Sequence, residues 1–398
     1  MIMNKKNNFL NRNSSIFYDD LEEIKDDLNH LIKGSRILVI GAAGTIGQSV
    51  FYELFSRKPK SIQAVDISEN NLVELVRTIR SSPLDQSPEL KTYAIDYGSN
   101  EFKFFIESTD NFDYVFNLSA LKHVRSEKDE FTLMRLIRVN IFNTVEMLKL
   151  FSPKQLKKYF VVSTDKATNP VNMMGASKRI MEQFLFRESE KFNISMARFA
   201  NVAFSDGSLL HGFNQRILKK QPLSAPNDVE RYFITQKESG ELCMISGLMG
   251  ENRDIFFPKL SEELSLTKFS DIAVDYLATL GFEPYECQSE EEAVNMAETL
   301  IKKNKWPCYF FKSDTTGEKD FEEFFTEESK LDQTKFKSIG IIKNDLKNHS
   351  ENIDNFYLKI NKLLDEGRWE RKDLIDIFKK TLPDFSHKEK GRNLDEKM

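Results

Sequence analysis

The sequence predicts an α/β protein in which a doubly wound parallel sheet carries helices on both faces, followed by a smaller mixed α/β region. Short apolar runs alternate with amphipathic stretches of helical period, and a glycine trio joins the first run to the first helix. Such alternation indicates βαβ units and a sheet covered on both faces. The expected strands are 37–40, 62–65, 93–95, 114–118, 160–163 and 195–199, and the expected helices are 46–57, 69–81, 130–150, 174–191 and 208–219.

The same pattern divides the chain into four segments. We expect an N-terminal arm and helix over 1–33, the main domain over 34–222, the smaller substrate-binding region over 223–385 and a disordered tail over 386–398. The first helix is expected to start at Ser14 or Ser15 and to end at Gly34. The smaller region is expected to hold helices at 268–280, 290–304, 353–365 and 370–380, strands at 255–257, 308–311 and 339–342, and an acidic solvated loop at 314–334.

Composition narrows the classes of function. With 398 residues and 40% hydrophobic content, the chain can bury a sizeable core. A net charge of −5 argues against a general nucleic-acid binder, which needs a broad basic surface, but it is compatible with a phosphate-bearing small molecule. Cys243, Cys287 and Cys308 have neither disulfide-framework nor metal-site spacing, so we expect buried thiols and no metal.

The N-terminal stretch gives an expectation about location. Residues 1–15 are polar, and the apolar run nearest to them, 37–40, is too short to span a bilayer. Unpaired cysteines also fit a reducing compartment. We therefore expect a soluble, cytoplasmic protein without a membrane partner.

The glycine trio predicts a dinucleotide-binding loop of the Rossmann type. In this arrangement the first glycine permits a tight turn, the second lets the backbone approach a pyrophosphate, and the third allows the helix to pack on the strand. The N-terminus of that helix then offers free N–H groups to the phosphates. The expected cofactor contacts in the loop are Gly41, Ala43, Gly44, Thr45, Ile46 and Gly47.

Two acidic residues at strand ends bear on the cofactor. Asp66 ends the second strand, where a carboxylate can accept both ribose hydroxyls and would repel a 2′-phosphate. This favours NAD over NADP, although Asp66 could instead cap the following helix. Asp96, after the third strand, is a candidate for the adenine amino group or an ordinary strand-end residue.

Three later motifs narrow the class of protein. Residues 117–124 (NLSALKHV) follow the fourth strand, 163–179 (STDKATNPVNMMGASKR) follow the fifth, and 198–202 (RFANV) follow the sixth. Together with the GxxGxxG spacing they resemble the extended branch of the short-chain dehydrogenase/reductase superfamily, over roughly residues 34–260. They are most similar to polysaccharide-biosynthesis dehydratases acting on UDP-N-acetylglucosamine. The resemblance adds Tyr97, Ser119, Ala120, Lys122 and Asn140 to the expected cofactor contacts, and it implies a homo-oligomer.

The resemblance implies a redox-neutral 4,6-dehydration. A hydride passes from sugar C4 to NAD, water is eliminated across C5 and C6, and the hydride returns to C6. An acid and a base must lie side by side, and by the resemblance Thr164, Asp165 and Lys166 carry this elimination. Lys178 then holds the nicotinamide ribose and lowers the pKa of nearby hydroxyls. Which group takes which proton stays open.

Position 174 departs from the superfamily pattern. It holds methionine where a YxxxK pair places a tyrosine, and a thioether cannot accept a proton. One interpretation is an inactive dinucleotide-binding scaffold. The favoured one is a dehydratase subgroup with Met174, in which the C4 hydroxyl proton passes to Asp165 or through Thr164 and water. The change argues against a simple C4 epimerase; an epimerase or C5-inverting dehydratase on a related nucleotide sugar is the alternative.

The substrate contacts follow from the same resemblance. Arg231 suits a diphosphate because its fork can bind two oxygens, although a surface salt bridge is its ordinary role. His123 is equally compatible with a structural histidine. Asp206-Gly207-Ser208 stands where the family has Arg-Gly-Ser, so one expected cation is missing. The expected contacts with a UDP-sugar are Lys122, His123, Asn201, Ser208, Asn214 and Arg231.

Overall fold

The computed structural model describes residue 12 and residues 14–261, 264–313, 323–345 and 350–387. Strands and helices alternate along most of this length. The strands are β1 (Arg36–Ile40), β2 (Ser61–Asp66), β3 (Glu89–Ala94), β4 (Tyr114–Asn117), β5 (Lys158–Val162), β6 (Ile194–Ala197), β7 (Asn201–Val202), β8 (Leu223–Pro226), β9 (Glu230–Arg231), β10 (Phe233–Ile234), β11 (Ile255–Pro258), β12 (Thr267–Lys268), β13 (Glu283–Glu286), β14 (Lys305–Phe311), β15 (Lys330–Asp332) and β16 (Ile339–Lys343).

The helices cover the sheet and build its C-terminal side. They are α1 (Tyr18–Glu23), α2 (Lys25–Ile32), α3 (Thr45–Phe55), α4 (Glu69–Arg80), α5 (Asn100–Ser108), α6 (Glu130–Ile137), α7 (Asn143–Leu148), α8 (Met173–Glu188), α9 (Leu209–Leu218), α10 (Gln236–Met249), α11 (Phe269–Thr279), α12 (Glu290–Ile301), α13 (Ser350–Glu366) and α14 (Arg371–Thr381). No helix among these described residues has both the length and the apolar character needed to cross a bilayer.

A nine-stranded sheet forms the centre of the molecule. Its order is β15-β16-β11-β6-β5-β4-β1-β2-β3. Strands β1 to β6 and β11 are parallel, whereas β16 and β15 add to the edge in antiparallel pairs. The order β3-β2-β1-β4-β5-β6 is that of the doubly wound Rossmann fold. The predicted fold class is therefore confirmed.

The expected division at residue 222 does not separate two sheets. Strands β11, β15 and β16 lie beyond it in sequence but belong to the central sheet. The stretches between β6 and β11 and between β11 and β15 contribute a small parallel sheet, β13-β14-β8, and the two-stranded pairs β10-β7 and β12-β9. The chain thus leaves the main sheet after β6 and returns to it.

Several local predictions need correction. The first helix is two helices, α1 and α2, that meet at Ile24, and the helix predicted over 130–150 contains a π-helical turn at Arg138–Phe142 between α6 and α7. Helix α10 was missed because it is buried on nearly every side, so it lacks an amphipathic stripe.

The acidic stretch 314–334 is not a solvated loop in its described part. Phe324 is buried and stacks on Phe257 at 6.0 Å between ring centroids, and β15 joins the sheet edge. Residues 314–322, most of the predicted N-terminal arm and residues 388–398 of the predicted tail lie outside the described residues. His387, predicted to lie in the tail, is buried against Glu127.

The prediction for the cysteines is confirmed, since Cys243, Cys287 and Cys308 are all buried and unpaired. Burial also raises the pKa of the Cys308 thiol to about 12, with a smaller contribution from Cys287. These thiols therefore act as small apolar residues of the core.

Candidate functional site

The glycine loop turns between β1 and α3 in a conformation that requires glycine at two positions. Gly41 has φ +72°, and a Cβ there would stand 2.7 Å from the Ser119 backbone nitrogen. A Cβ at Gly47 would stand 2.0 Å from the Gly41 carbonyl oxygen. At Gly44 a Cβ would meet the same oxygen at an ordinary 3.6 Å. Gly41 and Gly47 are thus needed for the turn itself, whereas Gly44 leaves open space beside the N-terminus of α3.

Asp66 ties the end of β2 to this loop. One of its carboxylate oxygens accepts the Ala43 N–H at 3.0 Å, and the other accepts the Ser68 N–H at 2.9 Å. The cap of α4 is Ser68, whose hydroxyl accepts the Asn71 N–H, so Asp66 is not that cap. Each carboxylate oxygen has a second lone pair, which leaves Asp66 able to accept hydroxyls as well.

Asp165 and Lys166 form a tight acid–base pair on a single turn after β5. Asp165 Oδ1 accepts the Thr164 hydroxyl at 2.8 Å, the Lys166 N–H at 2.8 Å and the Lys166 ammonium at 3.2 Å. The Asp165 side chain is 4% exposed and that of Lys166 is 18% exposed. Asp165 Oδ2 takes no hydrogen bond from any described residue. The pair therefore presents an acceptor and a donor next to each other in a largely buried position.

Met174 and Lys178 lie on the first turns of α8 and face the same volume. Both are buried. The Lys178 ammonium donates to the Val162 carbonyl oxygen at 3.0 Å. Burial lowers the pKa of Lys178 to about 8, against the opposing effect of the Glu182 carboxylate. Lys178 is thus a cation that can lose its proton close to neutral pH.

A buried ion pair between Arg198 and Glu182 holds α8 in place beside the Asp165–Lys166 turn. Arg198, at the end of β6, donates to both oxygens of Glu182 at 2.9 and 2.5 Å, and the Ser163 hydroxyl donates to Glu182 at 2.6 Å. Burial alone would raise the pKa of Glu182, but the charge and hydrogen bonds of Arg198 outweigh it and the pKa is lowered. The pair fixes α8 against the ends of β5 and β6, where the candidate catalytic groups lie.

One cavity brings the glycine loop and the candidate catalytic residues together. This loop cavity has a volume of about 250 Å³. It is lined by residues that were predicted separately from four regions of the sequence: Gly41, Gly44, Thr45, Ile46, Gly47, Ala120, Lys122, Thr164, Asp165, Lys166, Met174, Lys178 and Asn201.

A second cavity of about 620 Å³ adjoins the first. We call it the basic cavity, because its lining includes Lys122, Arg125, Arg216 and Lys219. Lys122 and Asn201 line both cavities. The Nδ2 atom of Asn201 is buried and has no hydrogen-bond partner among the described residues. This donor is therefore available to a polar group at the junction of the two cavities.

His123 and Ser208, two of the residues predicted to contact substrate, also line the basic cavity. The His123 ring packs on Gly207, where a Cβ would stand 2.6 Å from His123 Cε1. Burial, followed by the nearby Lys122 and Arg125 charges, lowers the pKa of His123 to about 4. The imidazole is therefore neutral at pH 7. Ser208 caps α9 by accepting the His211 N–H at 3.1 Å.

Two predicted substrate residues do not line either cavity. Asn214 accepts the Tyr276 hydroxyl on another side of α9. Arg231 is buried in β9, where its guanidinium donates to the Glu230 carbonyl oxygen at 2.8 Å. The orientation of Asn214 follows from its position on α9, and that of Arg231 from the pairing of β9 with β12. The sequence motif predicts neither orientation.

Four residues that were predicted to contact the cofactor do not line the loop cavity. Asn140 is buried and holds the Leu121 backbone by accepting its N–H at 2.9 Å and donating to its carbonyl oxygen at 3.0 Å. Tyr97 donates its hydroxyl to the Val139 carbonyl oxygen. Ser119 adjoins Gly41, and Asp96 lines a separate cavity beside Arg135. These residues therefore either hold the segment that precedes Lys122 in place, as Asn140 does, or lie apart from the site, as Asp96 does.

Sequence reasoning missed several residues that shape the site. A Cβ at Gly175 would stand 2.4 Å from the Lys166 carbonyl oxygen, so α8 can approach the Asp165 turn only with glycine there. Glu182 and the α9 cations Arg216 and Lys219 were also missed. The i, i+3 spacing of Arg216 and Lys219 was the available signal, since it places both on one helical face.

The strand order and the glycine loop define a Rossmann-fold protein. Its cavity lies at the carboxyl ends of the strands, where proteins of this fold bind their ligands. The chain matches the polysaccharide biosynthesis protein family over residues 37–344 and belongs to that family.

Two curated relatives and one solved structure are similar to this chain. An uncharacterized membrane protein of Methanocaldococcus jannaschii is 28% identical over 270 residues, which cover 66% of this chain and 78% of that protein. The capsular polysaccharide biosynthesis protein CapD of Staphylococcus aureus is 28% identical over 283 residues, covering 68% of this chain and 45% of CapD. The chain thus corresponds to less than half of CapD. The solved structure of Pen from Bacillus thuringiensis shares the fold, with a TM-score of 0.64 at 23% identity, over 79% of this chain and 89% of Pen.

Proposed function

We propose that the protein catalyses NAD-dependent 4,6-dehydration of UDP-N-acetylglucosamine, giving a 4-keto-6-deoxy nucleotide sugar for polysaccharide or glycan synthesis. The observation that carries the proposal is the Asp165–Lys166 pair, which faces the same cavity as the glycine loop. A redox step alone would need a cofactor and one proton acceptor. A paired donor and acceptor beside the cofactor loop fits an elimination in addition.

The residues of the loop fit NAD. Space beside Gly44 and the N-terminus of α3 suit a pyrophosphate, and Asp66 stands at the end of β2 for the ribose hydroxyls. When bound, NAD would accept a hydride from sugar C4 and return it at C6. Lys178, which lines the same cavity, would hold the nicotinamide ribose.

The proton balance of the reaction matches what the pair can exchange. Protons leave the C4 oxygen and C5, and protons are needed by the departing C6 oxygen and later by C5. Asp165 and Lys166 therefore end the cycle as they began it. Because Met174 cannot accept a proton, we assign the C4 hydroxyl proton to Asp165, directly or through the Thr164 hydroxyl that donates to it.

The basic cavity suits the UDP portion of the substrate. Its cations match a diphosphate, and Phe233, Phe269 and Phe311 in its lining offer apolar surface to a base. The unmet Nδ2 of Asn201 lies where the sugar would pass from one cavity to the other.

Two other functions compete with dehydration. A C4 epimerase would need a proton acceptor at position 174, and Met174 is none. A catalytically silent dinucleotide-binding scaffold would not need the buried Asp165–Lys166 pair, whose desolvation costs free energy.

Incubation with UDP-N-acetylglucosamine and analysis by mass spectrometry separate these functions. We expect a product lighter by one water, without net formation of NADH. Interconversion with the galactose isomer at constant mass would establish an epimerase instead. Tight NAD binding without any turnover of the nucleotide sugar would favour the scaffold.

A further inference from the structure

We propose that Arg216 on α9, assisted by Lys219, is the principal side-chain cation that binds the diphosphate of the substrate. This assignment rests on the proposed function and replaces the role that the sequence motif gave to Arg231.

The first support is the segregation of charge in the basic cavity. The whole chain has 62 acidic and 57 basic residues, so an average surface would mix both signs. Among the described residues that line this cavity, Lys122, Arg125, Arg216 and Lys219 are basic and none is aspartate or glutamate. A cavity lined by one sign of charge concentrates ligands of the opposite sign.

The second support is the state of the Arg216 side chain. Arg216 is half-buried, and within the described residues no hydrogen bond or ion pair engages its guanidinium. Burial lowers the pKa of Arg216, and the opposing charge of Glu290 at the start of α12 only partly offsets this effect. A guanidinium that has lost water without gaining a partner is costly, and a bound anion would supply the partner.

The third support is the placement along α9. Gly212, Arg216 and Lys219 follow one another at helical spacing on the face that lines the cavity. Arg216 lies about 12 Å along the axis from the helix start at Ser208, taking 1.5 Å per residue. Arg216 lines only the basic cavity, whereas Asn201 and Lys122 also line the loop cavity, so Arg216 lies on the side away from the catalytic groups.

The same placement accounts for Asp206. Its exposed carboxylate stands at the position where the sequence resemblance leads us to expect an arginine, and its backbone N–H donates to Thr45 Oγ1 at 3.0 Å. The cation missing there is supplied two turns further along α9. Arg231 remains a structural residue of β9, buried beside the Glu230 carbonyl oxygen.

Calorimetric titration with UDP and with uridine tests the assignment. Arg216→Gln should weaken UDP binding by about tenfold or more, because a charge-assisted contact is lost, and should leave uridine binding within about twofold. Arg216→Lys should give an intermediate loss, since the charge stays but the fork does not. Lys220→Asn is the matched control: it removes the same charge four residues from Arg216 at a position with φ +55°, which asparagine tolerates, and should leave both affinities unchanged.

The outcomes separate this inference from the proposed function. If the wild type binds UDP more tightly than uridine and Arg216→Gln keeps that ratio, the role of Arg216 is wrong while the proposed function stands. If the wild type binds NAD but shows no preference for UDP over uridine, both fail. Equal losses in Arg216→Gln and Lys220→Asn would show a general charge effect and would also overturn the assignment.

Discussion

Gly175, on the first turn of α8, lies so close to Lys166 that a Cβ at position 175 would stand 2.4 Å from the Lys166 carbonyl oxygen. The backbone of α8 thereby presses directly on the turn that carries the Asp165–Lys166 pair. We expect Gly175→Ala to displace this turn, at a cost of about 1–3 kcal/mol in the free energy of unfolding. A displacement near 1 Å should lower kcat by roughly 100-fold. Gly212→Ala is the control, because no atom lies within 4 Å of a Cβ there; equal stability of the two variants in urea would contradict the close approach.

Gly47 and Gly44 should respond differently to the same substitution. At Gly47 a Cβ would meet the Gly41 carbonyl oxygen at 2.0 Å, so Gly47→Ala should destabilise the loop and abolish NAD binding. At Gly44 the backbone tolerates a Cβ, so Gly44→Ala should unfold at the same denaturant concentration as the wild type. Its NAD affinity should nevertheless fall, because the methyl group enters the space for the pyrophosphate. Chemical denaturation and NAD titration measure the two effects; unchanged NAD affinity in Gly44→Ala would show that the pyrophosphate lies elsewhere.

We expect the contributions of Arg198 and Glu182 to the free energy of unfolding to depend on each other, because the two buried charges pair directly. Arg198→Met leaves the Glu182 carboxylate buried without its main partner and should cost about 3–5 kcal/mol. Adding Glu182→Leu removes the unpaired charge and should recover part of that loss. A double-mutant cycle in urea measures the coupling, and strictly additive losses would mean that the two side chains do not depend on each other.

Activity should decline above about pH 8 because of Lys178. Burial lowers its pKa to about 8, so the side chain is an ammonium below that pH and increasingly neutral above it. If the ammonium holds the nicotinamide ribose, kcat/KM should fall along an alkaline limb centred near pH 8, because kcat/KM reports the pKa values of the free enzyme. Lys178→Arg keeps a cation at all these pH values and should remove that limb. A wild-type kcat/KM that stays constant up to pH 10 would contradict the role given to Lys178.

Local patterns predicted the main sheet because each strand and helix of a βαβ unit is specified by contiguous residues. The glycine loop, the Asp165–Lys166 turn and Lys178 were predictable for the same reason, since their spacing on one strand end or one helix face fixes their direction. The return of β11 and β16 to the central sheet was not predictable. Strand β11 pairs with β6, which lies about 60 residues away in sequence, and β16 pairs with β11.

The direction of isolated side chains was the least predictable part of the site. Asn214 and Arg231 occupy motif positions, yet the packing of α9 on Tyr276 and the pairing of β9 turn them away from the cavity. Arg216 belongs to no motif; its i, i+3 spacing with Lys219 gives a helical face, but only the structure places that face beside the cavity. Glu182 reads as an ordinary helix residue until the end of β6 brings Arg198 against it.

The proposed dehydration moves a hydride from C4 to C6 of the same sugar, and isotope transfer tests this movement most directly. UDP-N-acetylglucosamine deuterated at C4 should yield a product with one deuterium in the C6 methyl group, in buffer without added NAD. NMR and mass spectrometry of the product locate the label. Deuterium found in released NADH, washed into solvent, or retained at C4 of a sugar of unchanged mass would contradict the account.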